Sequence, residues 1–144
     1  MTTTTVVERK EYIDNSACID VAGVLINPLN GEKIPFKTLC LIDTGFSDGI
    51  FLPDLFIHKI EATGAKLQEK NTTLADGTEI NVKTCKGYLQ KIGNCSLQCE
   101  KKIIIVMYEK TLGELLGMGA LQYFSVIFDG PQQNFTIIDN EFSL

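Results

Sequence analysis

The sequence has no excess of positive charge and no long apolar run, and each absence excludes a class of protein. Its 13 lysines and arginines are outnumbered by 18 aspartates and glutamates, which gives a net charge of −5. Nucleic acid and anionic membrane surfaces are therefore not expected as partners, because binding to either needs concentrated lysine and arginine. No apolar segment approaches the length of a membrane-spanning helix, so we expect no membrane association.

Cysteine and histidine are too few and too poorly spaced to indicate a disulfide framework or a metal site. The five cysteines are an odd number, and residues 1–10 lack the apolar core of a signal peptide. We therefore expect a cytoplasmic protein with reduced thiols. Cys95 and Cys99 would lie about 13 Å apart on an extended strand, too far for one ion or one disulfide. With His58 as the only histidine, we expect no metal and no organic cofactor.

The length and the residue pattern predict one domain made mainly of strands. The 144 residues, 44% of them hydrophobic, fit a single folded unit, which we place at residues 13–144 after an N-terminal arm at residues 1–12. β-Branched and alternating segments, separated by turn residues, favour an all-β chain. The predicted strands are residues 17–27, 34–43, 71–74, 78–89, 95–108, 124–129 and 135–139.

Two turns and two short helices organise these strands. Pro28-Leu29-Asn30-Gly31 joins the first two strands into a hairpin, and Ala75-Asp76-Gly77 joins the next two, because Asp-Gly is a strong hairpin signal. Phe51-Leu52-Pro53-Asp54 predicts the first turn of a helix that stops at Gly64. A second short helix is predicted from Gly113 through Tyr123. The run Ile103-Ile104-Ile105-Val106 is typical of a strand buried on both faces.

The segment Leu41-Ile42-Asp43-Thr44-Gly45 carries the chemistry, because it puts a carboxylate where an apolar strand breaks into a turn. Such a carboxylate is costly to desolvate unless it is hydrogen-bonded or used in a reaction. The other acidic residues are weaker candidates. Asp48 lies in a Ser-Asp-Gly turn and is expected to be solvated, and Asp129 and Asp139 are expected to be turn or edge residues.

In this order of segments the chain resembles a single-domain, retropepsin-like aspartic protease of the pepsin and retroviral-protease clan, most closely the small prokaryotic members. The segments that match, over about residues 17–139, are Leu41-Ile42-Asp43-Thr44-Gly45 with Phe51-Leu52-Pro53, then Ala75-Asp76-Gly77, then Leu115-Leu116-Gly117. The resemblance implies a retropepsin-like barrel that forms half of a two-fold symmetric dimer.

The resemblance also implies a reaction, the hydrolysis of peptide bonds in a polypeptide substrate. In this clan two aspartates hold a water between them and titrate as a coupled pair, one acting as base while the other, protonated, polarises the scissile carbonyl. This chain has one Asp-Thr-Gly, at Asp43, and no Asp-Ser-Gly. The activity would therefore require a homodimer with one Asp43 from each subunit, and a monomer would be inert.

The remaining matched residues take supporting roles by the same resemblance. Thr44 would reach across the dimer axis, and Gly45 would let the backbone turn tightly beside the carboxylate. Ala75, Asp76 and Gly77 would form the tip of a flap over the substrate. Leu115, Leu116 and Gly117 would pack beneath the Asp-Thr-Gly loop, with Gly117 allowing close backbone approach. The segments 2–10 and 135–144 are candidates for the dimer interface.

Two functions from other classes remain open. The same fold could bind an extended peptide by strand addition, or serve in assembly, without cutting. Alternatively, Ile42-Asp43-Thr44-Gly45 could be the phosphate-contacting Asp-x-Gly of an actin-like ATPase or sugar kinase. That second alternative requires two α/β lobes and further phosphate loops, which this strand-rich sequence does not indicate.

Phe46 departs from the retroviral and pepsin-like patterns, which carry Ala, Ser or Thr after Asp-Thr-Gly, and it is a candidate for a substrate subsite. Because its side chain has no hydroxyl to hydrogen-bond the catalytic carboxylate, we predict activity at higher pH than in pepsin. A pH–rate profile measures this directly. An optimum below about pH 3.5 would contradict the prediction.

Overall fold

The computed structural model describes residues 5–74, 76–108 and 113–139, and within them the chain forms ten strands and two short helices. This confirms the predicted all-β class with one or two short helices. The elements are β1 (Thr5–Glu11), β2 (Cys18–Ile26), β3 (Lys33–Ile42), β4 (Ile50–Pro53), α1 (Leu55–Glu61), β5 (Gln68–Thr73), β6 (Glu79–Ile92), β7 (Cys95–Tyr108), β8 (Leu115–Leu116), α2 (Met118–Leu121), β9 (Phe124–Asp129) and β10 (Asn134–Asp139).

Six strands close into a barrel. Their order is β2-β3-β8-β4-β7-β6, and a further pairing of β6 with β2 completes the ring. β5 pairs with β6 outside the ring and forms the edge of the seven-stranded sheet. Closure leaves the ring strands without free edges, so most ladder donors and acceptors are satisfied inside the barrel.

The first predicted hairpin is present and delivers Asp43 to the end of β3. β2 and β3 pair antiparallel from Cys18 opposite Leu41 to Ile26 opposite Lys33. The turn between them contains Gly31 at a φ of 74°, a conformation that glycine adopts without steric cost. The buried side chain of Asn27 fixes this turn, because its Oδ1 accepts from the backbone N–H of Leu29 at 2.9 Å.

The prediction that Phe51-Leu52-Pro53 begins a helix is wrong, because these residues lie in β4 and α1 begins only at Leu55. β4 runs parallel to β7 and antiparallel to β8. Its residues Ile50, Phe51 and Leu52 are 0%, 3% and 0% exposed. A strand buried on both faces has the same run of apolar residues as a buried helix, so the pattern alone misassigned it.

The second predicted helix is shorter than expected. Leu115–Leu116 is a strand, and the helix that follows it covers only Met118–Leu121.

The run from Ile103 to Val106 is also only partly as predicted, since Ile104 is 39% exposed while its neighbours are buried. The outer face of β7 becomes covered only from Val106 onward, where Phe51, Ile80 and Val82 form a second small core.

The chain ends form a separate three-stranded sheet in the order β1-β10-β9. Residues 5–11 of the predicted N-terminal arm thus lie in a strand, paired with part of the predicted C-terminal interface segment. Phe135 and Ile137 of β10 are fully buried in the main core, which packs this sheet against the barrel. Among the described residues, no helix has the length and apolar character needed to cross a membrane.

A buried ion pair ties the terminal sheet to the barrel. The Lys101 side chain on β7 is 1% exposed, and its Nζ lies 3.2 Å from Oδ1 of Asp139 on β10. The same ammonium lies 5.8 Å and 5.7 Å from the ring centres of Tyr123 and Phe124. The expectation that Asp139 is a plain turn or edge residue is therefore wrong, because a lysine buried this deeply needs an anionic partner.

We predict that Asp139→Asn lowers the free energy of unfolding by about 3 kcal/mol, because it weakens the compensation of a buried ammonium. Lys101→Met should cost less, since the more exposed Asp139 carboxylate can then be hydrated. Urea denaturation of the two variants and the wild type, at one protein concentration, measures both effects. Equal costs for the two substitutions would contradict this account.

Candidate active site

Asp43 is held by backbone hydrogen bonds in a loop between β3 and β4. Its N–H donates to the carbonyl oxygen of Leu116 at 2.9 Å, and its own carbonyl accepts from the N–H of Phe46 at 3.2 Å. Its Oδ1 accepts from the N–H of Gly45 at 2.9 Å. The residue is half-buried, and the neighbouring Thr44 and Gly45 are exposed. The carboxylate is therefore fixed in place yet open to solvent.

The loop is positioned by β8, which inserts between the two strands that flank it. Leu115–Leu116 runs parallel to β3 and antiparallel to β4. Just beyond it, Gly117 and Met118 donate backbone hydrogen bonds to the carbonyls of Gly49 (2.8 Å) and Phe46 (2.7 Å). Residues 116–118, which are distant in sequence, therefore hold the loop between Asp43 and β4 through backbone hydrogen bonds.

Gly117 is required by this arrangement for reasons of space rather than conformation. Its φ of −104° and ψ of −178° are extended values that any residue adopts. A Cβ at this position, however, would overlap the carbonyl oxygens of Phe46 and Asp48 and the ring of Phe46. Backbone atoms cannot move aside as a flexible side chain could, so the loop can approach only a glycine here.

The β5–β6 hairpin matches the second predicted hairpin, although Ala75 lies outside the described residues. Gly77 has a φ of 87°, and the N–H of Thr78 donates to Oδ1 of Asp76 at 2.9 Å. That hydrogen bond is the main reason why the pKa of Asp76 lies below its ordinary value, with a smaller contribution from the Thr78 side chain. Asp76 therefore stabilises the turn itself, as an acceptor.

An apolar cluster joins the loop that carries Asp43 to this hairpin. Phe46 packs edge-on against the buried Phe51, with ring centres 5.9 Å apart. Phe51 belongs to the second core, together with Ile80 and Val82 on β6. The partly buried Phe46 lies against this core. Its ring therefore fills space between the loop and the second core.

Asp48 is not the solvated turn residue that the sequence indicated. Its side chain is 15% exposed and forms an ion pair with Lys70 on β5. The sequence alone does not identify Lys70 as the partner of Asp48, because Lys70 lies far along the chain in an otherwise polar strand. The strand register gives the missing signal, since Lys70 lies opposite Val82 and paired residues project to the same face of a sheet.

Among the residues that the structure describes, the remaining titratable side chains show no second reactive site. None of the five cysteines is in a disulfide, and burial, with smaller contributions from Glu114 and other neighbours, raises the pKa of Cys40 to about 12. His58 is exposed on α1, near Asp54, and Asp129 accepts a turn hydrogen bond from the N–H of Gln132. Within the described part of the chain, no three histidine, cysteine, aspartate or glutamate side chains are grouped to hold a metal.

Comparison with known proteins adds no assignment. No protein-family model matches the chain, and searches of curated proteins and of solved structures also find no match.

We predict that Gly117→Ala lowers the free energy of unfolding by about 3 kcal/mol, because its methyl group overlaps backbone atoms of the loop. Gly130→Ala is the matched control, since a Cβ there meets no atom within 4 Å and its effect should stay within about 0.5 kcal/mol. Thermal and urea unfolding measure both variants. A Gly117→Ala protein as stable as the control would show that the loop is free to move away.

Proposed function

We propose that this chain is a retropepsin-like aspartic endopeptidase that works as a homodimer, with Asp43 of each subunit facing a shared water. The observation that carries the proposal is the insertion of β8 between β3 and β4 directly beneath the Asp-Thr-Gly loop. This insertion holds a half-exposed carboxylate rigidly at the end of a strand. Rigid placement of a solvent-accessible carboxylate is what acid–base catalysis on a water requires.

The state of the neighbouring carboxylate supports a dimer. A water-activating pair needs two carboxylates close enough to share a proton. Asp48, the closest acidic residue in sequence, is engaged by Lys70 and so is a poor partner for Asp43. A second copy of the chain would supply the missing carboxylate in an isologous arrangement. The exposed Thr44 beside Asp43 is free to contact that copy.

The hairpin and the apolar cluster fit a cleft for extended peptide. β5 is an edge strand, and the β5–β6 turn projects beyond the barrel ladder. The partly buried Phe46 and the second core beneath it offer an apolar wall to a substrate side chain. In the reaction, one Asp43 carboxylate would take a proton from the water while the protonated Asp43 of the other subunit polarises the scissile carbonyl.

A second candidate function, peptide binding without cleavage, is favoured by a separate observation. The edge of β5 that faces away from β6 belongs to a strand whose residues are nearly all exposed. Such an edge can accept an extended peptide as an additional strand. The ATPase alternative is not favoured, because the described residues form a β barrel with two short helices rather than two α/β lobes.

We predict that the wild type cleaves members of a complex peptide mixture between pH 4 and pH 8, and that Asp43→Asn reduces cleavage at least about a hundredfold. The asparagine keeps the size of the side chain and removes its acid–base function. Mass spectrometry of the products identifies the cut sites. Specific activity should rise with protein concentration and then level off, because only the dimer is active.

The controls separate the two candidate functions. Glu32→Gln changes an exposed carboxylate in the turn between β2 and β3, away from the candidate site, and should leave the cleavage rate unchanged. If neither the wild type nor Asp43→Asn cuts at any pH while both stay folded, the protease proposal fails. Retention of peptides from the same mixture by the uncut protein would then support the binding function.

A further inference from the structure

The β5 strand is held to the rest of the molecule by few buried side chains. Five of its six residues are exposed and the sixth is half-buried, so its ladder with β6 supplies most of its attachment. An edge strand with so little apolar burial opens easily, because local opening costs little free energy where few contacts are lost. Contacts that reach β5 from outside the hairpin therefore have a large influence on its position.

The ion pair between Lys70 and Asp48 is such a contact. Lys70 lies opposite Val82, which is 1% exposed, so the lysine projects from the apolar face of the hairpin. Asp48 lies five residues after Asp43, in the loop that carries the candidate catalytic carboxylate. The pair therefore connects the hairpin directly to that loop.

The loop end of this connection is rigid. The carbonyl of Asp48 accepts from the N–H of Gly119 at 3.0 Å, and the N–H of the next residue, Gly49, donates to the carbonyl of Ile104 at 3.0 Å. A Cβ on Gly117 or Gly119 would overlap backbone atoms at Asp48. The Asp48 carboxylate is thus a fixed anchor, and the lysine side chain on the edge strand is the adjustable partner.

The opposite face of the hairpin is held by a second pair. Lys83 Nζ lies 2.8 Å from Oε1 of Glu61 on α1. Because Lys83 is the neighbour of Val82 in the strand, its side chain projects to the other face of the sheet. The two pairs thus connect opposite faces of the hairpin to the loop after Asp43 and to α1.

We infer that Asp48 and Lys70 are positioning residues, and that their ion pair holds the hairpin at a defined height over the loop that carries Asp43. This inference rests on the proposed function for its catalytic meaning, but the coupling of hairpin to loop is a property of the folded protein. Loss of the pair leaves the barrel intact and lets the hairpin open more often. When Lys70 is removed, the mostly buried Asp48 carboxylate loses its cation. Loop conformations in which water reaches this carboxylate then become more favourable.

Amide hydrogen exchange of the full chain tests the inference without any substrate. In Lys70→Met and Asp48→Asn, the amides that bond between β5 and β6 should exchange about two- to fivefold faster than in the wild type, as expected for loss of a partly exposed ion pair. Lys70→Arg keeps the charge and should exchange like the wild type. Lys86→Met, which removes an exposed lysine elsewhere on β6, is the matched control and should have no effect.

Two further exchange measurements, one at high salt and one on the β2–β3 amides, distinguish positioning of the hairpin from a general loss of stability. High salt should speed exchange in the wild-type hairpin toward the rate of Lys70→Met, because it screens the pair, while the β2–β3 amides stay unchanged. Unchanged hairpin exchange in Lys70→Met, or an equal increase in β2–β3, would overturn the inference.

A peptidase assay links the pair to catalysis. If the wild type cleaves peptides, kcat/KM should fall measurably in Lys70→Met and recover in Lys70→Arg; an unchanged kcat/KM would overturn the catalytic role. If the wild type cleaves nothing, the proposed function fails, and the exchange data still decide whether the pair positions the hairpin.

Discussion

The position of Asp43 depends on the insertion of a two-residue strand between β3 and β4. Leu116 occupies the gap between these strands and accepts the hydrogen bond from the Asp43 N–H. Gly117 then passes so close to the loop that a side chain has no room. Because β8 pairs with both flanking strands, the loop cannot shift without breaking the barrel. This mechanical constraint places a carboxylate at the surface without leaving it mobile.

Two ion pairs connect the elements that lie outside the barrel to the rest of the fold. The terminal sheet and β5 both lie outside the closed ring. Lys101 with Asp139 reaches the first, and Asp48 with Lys70 reaches the second. In each pair one member is less exposed than the other: Lys101 at 1% against 12% for Asp139, and Asp48 at 15% against 41% for Lys70. The buried member needs its partner, since an uncompensated charge is costly inside a protein.

The sequence predicts the strands and turns of this chain better than its packing. The sequence predicts one strand over residues 95–108, and β7 has the same bounds, because turn residues and β-branched runs are local signals. The misassignment of Phe51-Leu52-Pro53 arose because burial on both faces removes the periodicity that separates strand from helix. The partners of Asp48 and Asp139 were missed because long-range register decides which charges meet.

The same distinction between local signals and tertiary packing applies to the candidate site. Asp43 could be found from sequence because an aspartate that ends an apolar strand before a glycine is a local anomaly. The crowding around Gly117 depends on two segments that are distant in sequence, and Phe46 contacts the second core only through the fold. Local chemistry thus identified the carboxylate, and tertiary structure determined which residues surround it.

Mixing subunits tests the central claim, that two copies of Asp43 form one site. Wild-type protein at fixed concentration is mixed with increasing amounts of Asp43→Asn, and subunit exchange is followed in the same samples by fluorescence transfer between labelled chains. The account predicts that cleavage per wild-type chain falls as mixed dimers form, because a mixed dimer has only one of the two carboxylates. Mixed dimers that form while cleavage per wild-type chain stays constant would contradict it.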